Sequence, residues 1–424
     1  MGLKVAVVGG GSTYTPELVD GLLTRTASLP VDELVLLDID PERLGVVGGL
    51  ARRMAERAGW GGHLATTLSS DAALEGADFV LVQLRVGGQA ARFVDETLPP
   101  RFGTIGQETT GAGGFAKALR TVPVVMGIAE QTARLGAPGA WLIDFTNPVG
   151  IVTQALLDAG HRAIGLCNVA IHTQRRLAAR FAVPPEQVRL EHVGLNHLSW
   201  VRAVWVAGVD RLPELLDTGI DDLVDLSGGI PAGLLRALGA LPSSYLRYYY
   251  CADEVLAEQR AGGHVRAAEV MDIERRLLSS YRDPALTEKP PLLAERGGAF
   301  YSDAAVALMA SLHAGSGDVQ VVDTRNEGAI AELPDDAVVG VPARIDRDGP
   351  HPLPQAPLAP ELLALIEHVK GYERLAVEAA TSGDRRVALR ALVAQPLVGR
   401  YPMAERLLDA LLDAGQSAAS DHRG

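Results

Sequence analysis

Near its start the chain runs Lys4-Val-Ala-Val-Val-Gly-Gly-Gly-Ser-Thr-Tyr-Thr-Pro-Glu17, an apolar strand, a glycine turn and a helix start in immediate succession. Gly9 and Gly11 stand in Gly-x-Gly spacing, so the turn through Gly9, Gly11, Ser12 and Thr13 can aim backbone N–H groups and a helix N-terminus at a pyrophosphate. The third glycine of the usual Gly-x-Gly-x-x-Gly is replaced by Tyr14, and from this stretch alone a structural βα turn fits about as well. The next two elements narrow the choice. A helix from Pro16 to Thr24 leads to the strand Glu33-Leu-Val-Leu-Leu-Asp38, which ends in a carboxylate. A doubly wound α/β fold places there the acid that holds a ribose diol, and a carboxylate at Asp38 favours NAD over NADP. The plainer alternative for Asp38 is a turn residue or helix cap before Pro41.

The same alternation continues. Ala77–Arg85 is an apolar strand that leaves Arg85 at the ligand-facing edge of a parallel sheet. Gly106–Gly114 is glycine-rich and carries Glu108, either a capping acid or an active-site acid. The helix after it presents Phe115, Leu119, Val122 and Met126 on one face, with a kink expected at Pro123. The strand Ala140–Phe145 ends in Asn147 and Pro148, where Asn147 suits either a turn or a donor to a substrate hydroxyl. A helix from Pro148 to Asp158 and a strand from His161 to Leu166 complete the pattern. Residues 1–168 are therefore predicted to form a Rossmann-type doubly wound parallel sheet.

Beyond it the texture changes. Val188–Val193 and Leu198–Val206 are spaced as strands of an antiparallel layer, and amphipathic helices come after them, among them Glu361–Thr381 and Arg385–Ala394, the latter N-capped by Asp384. Residues 169–414 are assigned to an α+β domain, and the small polar stretch 415–424 to a disordered tail. With 424 residues the chain is too long for one core. A net charge of −13 without any basic run argues against nucleic-acid or membrane-surface partners. The two cysteines, Cys167 and Cys251, form no disulfide framework, and no signal segment or long apolar span is present, which points to the cytoplasm.

Two segments carry the candidate chemistry. One strand ends on Cys167 and Asn168, and another apolar run ends on Asn196 and His197. A thiolate and an imidazole arriving from separate segments can share one transition-metal ion; the alternative is a buried cysteine and a hydrogen-bonded histidine at two strand ends. Pro242–Tyr250 concentrates four of the nine tyrosines, with Tyr245 and Tyr248 spaced for one helix face, where an aromatic core stripe is the plainer reading. Arg266 stands near the start of the helix Val265–Leu278, where a cation is poorly placed unless an anion binds beside it.

Taken in order, Val8-Gly-Gly-Gly-Ser-Thr-Tyr14, Leu84-Arg-Val-Gly-Gly88, Gly106-Gln-Glu-Thr-Thr-Gly111, Thr146-Asn-Pro148, Gly165-Leu-Cys-Asn168, Gly194-Leu-Asn-His197, Tyr245-Leu-Arg-Tyr248 and Gly297-Gly-Ala-Phe-Tyr301 resemble glycoside hydrolase family 4, and within it the 6-phospho-β-glucosidase branch. The resemblance implies a Rossmann domain followed by an α+β domain, as in lactate and malate dehydrogenases. It also implies NAD and a divalent metal, usually manganese, as cofactors, and a homodimer or homotetramer. The implied chemistry is transient oxidation of the third sugar carbon, metal-assisted elimination of the aglycone, addition of water and return of the hydride; this family is an exception to the two-carboxylate scheme. By matching position Cys167 and His197 hold the metal, and Tyr245 removes the proton of the second carbon. Arg85, Asn147, Asn168 and Arg266 hold the sugar and its phosphate, Asn168 also lying at the reacting centre and Arg85 beside the cofactor. Arg247 or Arg266 is the expected source of positive charge that lowers the Tyr245 phenol. The family commonly has proline and a small residue where this chain has Ala170 and His172, which leaves non-phosphorylated glycosides as an alternative substrate class. Two further alternatives are a 2-hydroxy-acid dehydrogenase, which needs no metal thiolate, and an NAD-binding redox sensor, which needs no base.

Overall fold

The computed structural model of the chain describes residues 2–263, 265–298 and 300–420. Its strands are β1 (Leu3–Val8), β2 (Val31–Leu37), β3 (His63–Thr67), β4 (Phe79–Val82), β5 (Trp141–Asp144), β6 (Ala163–Gly165), β7 (Val188–Leu195), β8 (Leu198–Val206), β9 (Val209–Asp210), β10 (Leu241–Pro242), β11 (Asp318–Arg325), β12 (Val338–Asp346) and β13 (Gly349–Pro352). One nine-stranded sheet runs β13-β12-β11-β6-β5-β4-β1-β2-β3. From β6 to β3 it is parallel, with right-handed crossovers expected of such units. Both faces are covered. Val5 and Val7 of β1 belong to one core and Ala6 and Val8 to the other, which explains the unbroken apolar run.

The sheet does not stop at the expected division near residue 168. The antiparallel strands β11 to β13 extend it, β11 joining β6 through the single pair Asp323↔Gly165. Residues 1–168 and 169–414 thus share one sheet. A second layer holds the antiparallel pair β7–β8, flanked by β9 and β10. Long helices, Gly111–Leu135 and Pro360–Ser382, pack against each other across the chain.

Several local expectations need correction. The helix Gly111–Leu135 begins within the glycine run and continues through Pro123. Gly113 and Gly114 are needed there because a Cβ would lie 2.3 Å from the Gln107 carbonyl or 2.5 Å from the Thr109 carbonyl carbon. The helix after β6 starts at Asn168, earlier than its basic stretch suggests, with Cys167 as N-cap residue. At the other end, the helix Tyr401–Ser420 covers residues 415–420, so that part of the expected disordered tail is helical; the remainder lies outside the described residues. Asp384 does cap its helix, accepting from the Arg386 N–H at 2.7 Å. No described helix is long and apolar enough to cross a membrane.

Candidate active site

The glycine turn sits where the strand order reverses, between β1 and β4, the usual ligand crevice of an open α/β sheet. Gly9 has φ +88°, and a Cβ there would meet the backbone of Gln83 and Leu84 at 3.0–3.1 Å. The N–H groups of Gly9 and Gly10 donate to the Leu37 carbonyl, at 2.9 and 2.8 Å. Asp38, just past β2, accepts from the Gly11 N–H at 2.7 Å and from Ile39 and Asp40 at 2.8 and 3.1 Å. The carboxylate therefore braces the turn. Ser12 and Thr13 face a cluster that the sequence did not reveal. Arg296 donates to Thr13 Oγ1 at 2.6 Å and to Glu274 at 3.1 Å, and Glu274 also takes Gln89 at 3.1 Å. Thr13 is fully buried, with its side chain in this bridge and its carbonyl accepting from Tyr281 Oη at 2.8 Å.

Cys167 and His197 do converge. Together with His192, Asn196, Ser199 and Asp323 they line one cavity of about 20 Å³, room for roughly one water. Cys167 arrives at the end of β6. Asn196 and His197 form the two-residue turn between β7 and β8, with Leu195 paired to Leu198. His197 has φ +61°, a left-handed conformation that glycine adopts freely and that costs a histidine about 1–3 kcal/mol. The two-residue turn requires it. Burial, helped by Lys117, pushes the imidazole down to about 3, so it is neutral and able to ligate. Its Nδ1 is buried with no partner.

Burial and the neighbouring Asp323 push the Cys167 thiol up to about 12, against hydrogen bonds from Val169, Asn196 and Tyr301. A dication would reverse that balance, since a coordinating thiol is deprotonated outright. Among the described residues no three His, Cys, Asp or Glu side chains gather as a complete metal cage. Cys167 and His197 could supply a soft sulfur and a neutral nitrogen to a metal, whose other positions a ligand would have to fill.

Tyr245, in the short turn Ser244–Leu246, stacks on His197 with ring centroids 3.7 Å apart and planes 9° from parallel. Tyr248 lies farther off, 6.3 Å from Tyr245 and tilted. Burial, with Cys167 and Tyr248, holds the Tyr245 phenol above its ordinary range, and Arg92 is the cation that opposes this. The expected helpers are elsewhere. Arg247 pairs with Glu258 at 2.7 Å, and Arg266 pairs with Glu269 and donates to the Glu295 carbonyl at 2.7 Å. Both are drawn off by carboxylates or carbonyls close in sequence or space.

Glu108 proves to be a buried hub. It takes Lys117 at 2.7 Å, Arg92 at 3.2 Å and an ion pair from Arg85. Burial alone would raise its carboxyl, but Lys117, Arg85 and Arg92 hold it well below the usual range. Burial and Arg85 push the Lys117 amine down to about 8. Arg92 also pairs with Glu96 at 2.7 Å, so its charge is shared between two carboxylates. Lys117 and Arg92 were hidden in the sequence as ordinary helix charges. Asn147 precedes a cis peptide bond to Pro148, and its Oδ1 is buried without a partner, free to accept from a ligand hydroxyl. Asn168, first residue of its helix, has its backbone held by the Tyr301 phenol, which also reaches Cys167. Tyr301 in turn lies edge-on to Tyr14 at 6.4 Å, which ties the glycine turn to the thiol.

The chain as a whole has counterparts among known proteins. Residues 4–183 match the family 4 glycosyl hydrolase model and residues 192–398 the model of that family's C-terminal domain. A probable 6-phospho-β-glucosidase of Bacillus subtilis is 41% identical over 426 residues, covering 97% of this chain and 96% of that one. The solved 6-phospho-β-glucosidase of Thermotoga maritima with manganese, NAD⁺ and glucose-6-phosphate superposes with TM-score 0.92 at 35% identity, over 98% of this chain and 99% of that one. The malate dehydrogenase of Plasmodium falciparum shares the fold, with TM-score 0.57 at 15% identity over 90% of this chain and 99% of that one.

Proposed function

The chain belongs to the family 4 glycosyl hydrolases, and from that premise we propose that it cleaves 6-phospho-β-glucosides, such as cellobiose 6-phosphate, with NAD and a divalent metal, usually manganese. The observation that carries the proposal is the convergence of Cys167, His197 and Tyr245 beside the nucleotide crevice. A hydroxy-acid dehydrogenase or a redox sensor has no use for a strained histidine laid flat on a buried phenol.

Bound NAD supplies a reversible hydride acceptor, and a bound metal a Lewis acid, for chemistry at the third sugar carbon. The turn through Gly9, Gly11, Ser12 and Thr13, with Asp38, holds the dinucleotide. Cys167 and His197 hold the metal. Tyr245 takes the proton of the second carbon, its ring kept in place by His197. Proton loss there expels the aglycone from the first carbon, and water then adds. Asn147 accepts from a sugar hydroxyl through its unpartnered Oδ1, and Asn168 holds the sugar beside Cys167. Arg85 and Arg266 take the phosphate, as planar guanidinium forks suit that group. Asn168 after Cys167 matches the β-phosphoglucosidase branch of the family, which supports the β-anomer.

The test pairs p-nitrophenyl β-glucoside with its 6-phosphate, each assayed with and without NAD and manganese. Turnover confined to the phosphorylated substrate with both cofactors, and deuterium on the product's second carbon in deuterated water, is the expected result. Turnover without NAD, or a product free of deuterium, rejects the mechanism.

A further inference from the structure

The hairpin turn that carries His197 is held from behind by a residue of the C-terminal part of the sheet. Asp323 lies at the one point where β11 pairs with β6, opposite Gly165 and two residues before Cys167. Its side chain is buried, and its Oδ2 accepts from Asn196 Nδ2 at 3.1 Å. Asn196 lines the same small cavity as Cys167, and its amide favours the ionised form of that thiol. Because Asp323 Oδ2 accepts from Asn196 Nδ2, Asp323 determines which end of the Asn196 amide is the NH₂. With one N–H on Asp323, the second is available to the sulfur.

Three glycines on three elements clear the space for this pair. A Cβ at Gly165 would lie 2.9 Å from Asp323 Cβ and 2.3 Å from Thr153 Oγ1. One at Gly340 would lie 3.0 Å from Asp323 Oδ1, and one at Gly150 3.1 Å from Asn196 Cβ. The backbone has been thinned on every side of the two side chains.

We propose that Asp323 and Asn196 are positioning residues for the metal thiolate: Asp323 orients the Asn196 amide so that its second N–H is donated to Cys167 Sγ. The inference rests on the metal role of Cys167 and His197. Partners of this kind, one shell out from a metal, orient the ligand and tune its donor strength. Asn196 also adjoins His197 in the turn, so the same hydrogen bond steadies both donors. Neither residue touches the substrate in this scheme.

The test reads metal binding rather than turnover. Mn²⁺ affinity is measured by electron paramagnetic resonance of the free ion, and the sulfur is followed by the thiolate-to-cobalt charge-transfer band of the Co²⁺-loaded protein. Asp323→Ala is expected to weaken Mn²⁺ binding about 10- to 100-fold and to shift or weaken the band, with NAD affinity unchanged. Asp323→Asn keeps an acceptor for Asn196 and is expected to restore most of both signals. Asn196→Ala, which leaves the β6–β11 pairing alone, is expected to match Asp323→Ala and carries the test should that variant fail to fold. Wild-type affinity and band in Asp323→Ala or Asn196→Ala overturn the inference, as does Asp323→Asn behaving no better than Asp323→Ala. Absence of the band in the wild type, with Cys167→Ser binding Mn²⁺ equally well, removes the underlying metal assignment and this inference with it.

Discussion

The imidazole of His197 and the phenol of Tyr245 lie face to face, 3.7 Å between centroids, so a candidate metal donor and a candidate base are parts of one rigid stack. Replacing the hydroxyl alone should leave the stack intact. Tyr245→Phe is expected to lower kcat about 10²–10⁴-fold, the range of a lost general base, while Mn²⁺ and NAD affinities stay at wild-type values. Steady-state kinetics beside a metal titration check this; a near-normal kcat would move the base to another residue.

Metal uptake should release a countable proton. At neutral pH the Cys167 thiol, pushed up to about 12, holds its proton, whereas His197, pushed down to about 3, has none to give. Binding of Mn²⁺ between pH 6 and 9 is therefore expected to release about one proton per ion. Calorimetry in buffers of different ionisation enthalpy measures the number. Cys167→Ser should abolish both release and binding and keep NAD binding; release near zero in the wild type would mean that sulfur does not ligate.

Acid should weaken the fold through a histidine outside the proposed metal set. Burial pushes His192 from its ordinary 6.5 down to about 4. A depressed folded-state value means that its contribution is present above pH 6.5 and is lost as pH falls toward 4, on the order of 3 kcal/mol in all. The metal-free Tm is expected to decline across that window, and His192→Gln to flatten the decline. An unchanged slope in the variant would place the acid lability elsewhere.

Glu108→Gln should be costly. It leaves Arg85, Arg92 and Lys117 without their shared carboxylate, and breaking a buried ion pair from one side costs about 3–5 kcal/mol. Part of that returns at high pH. Lys117 already titrates near 8, and loss of Glu108 lowers it further, so the variant gains more stability than the wild type as pH rises from 7 to 9. Denaturant unfolding at the two pH values tests this; an equal deficit at both would show that Lys117 is not the group responding.

Much of the fold could be read locally because its parts are local. The Gly9–Gly11 turn, Asp38 after β2 and Cys167 after β6 are each placed by a strand that ends beside them. His197 was visible for the same reason. What escaped depends on pairs far apart in sequence. Asn196 and Asp323 are 127 residues apart, and nothing in the strand Asp318–Arg325 marks the one side chain that meets β6. Lys117 lies on a helix whose pattern places it as one more surface cation, yet it is buried against Glu108. As cations beside Tyr245, Arg247 and Arg266 misled for the converse reason: charge can be counted in a sequence, but not where the side chain carries it or the Glu258 and Glu269 it meets.

The junction of β6 with β11 also has a consequence for how the protein comes into being. While the ribosome is still making the middle of the chain, β6 is the open margin of a nearly finished parallel sheet, its backbone groups unpaired. Only when residues 318–325 emerge can that margin be closed. A chain ended before residue 318 would therefore leave that strand edge open beside Cys167.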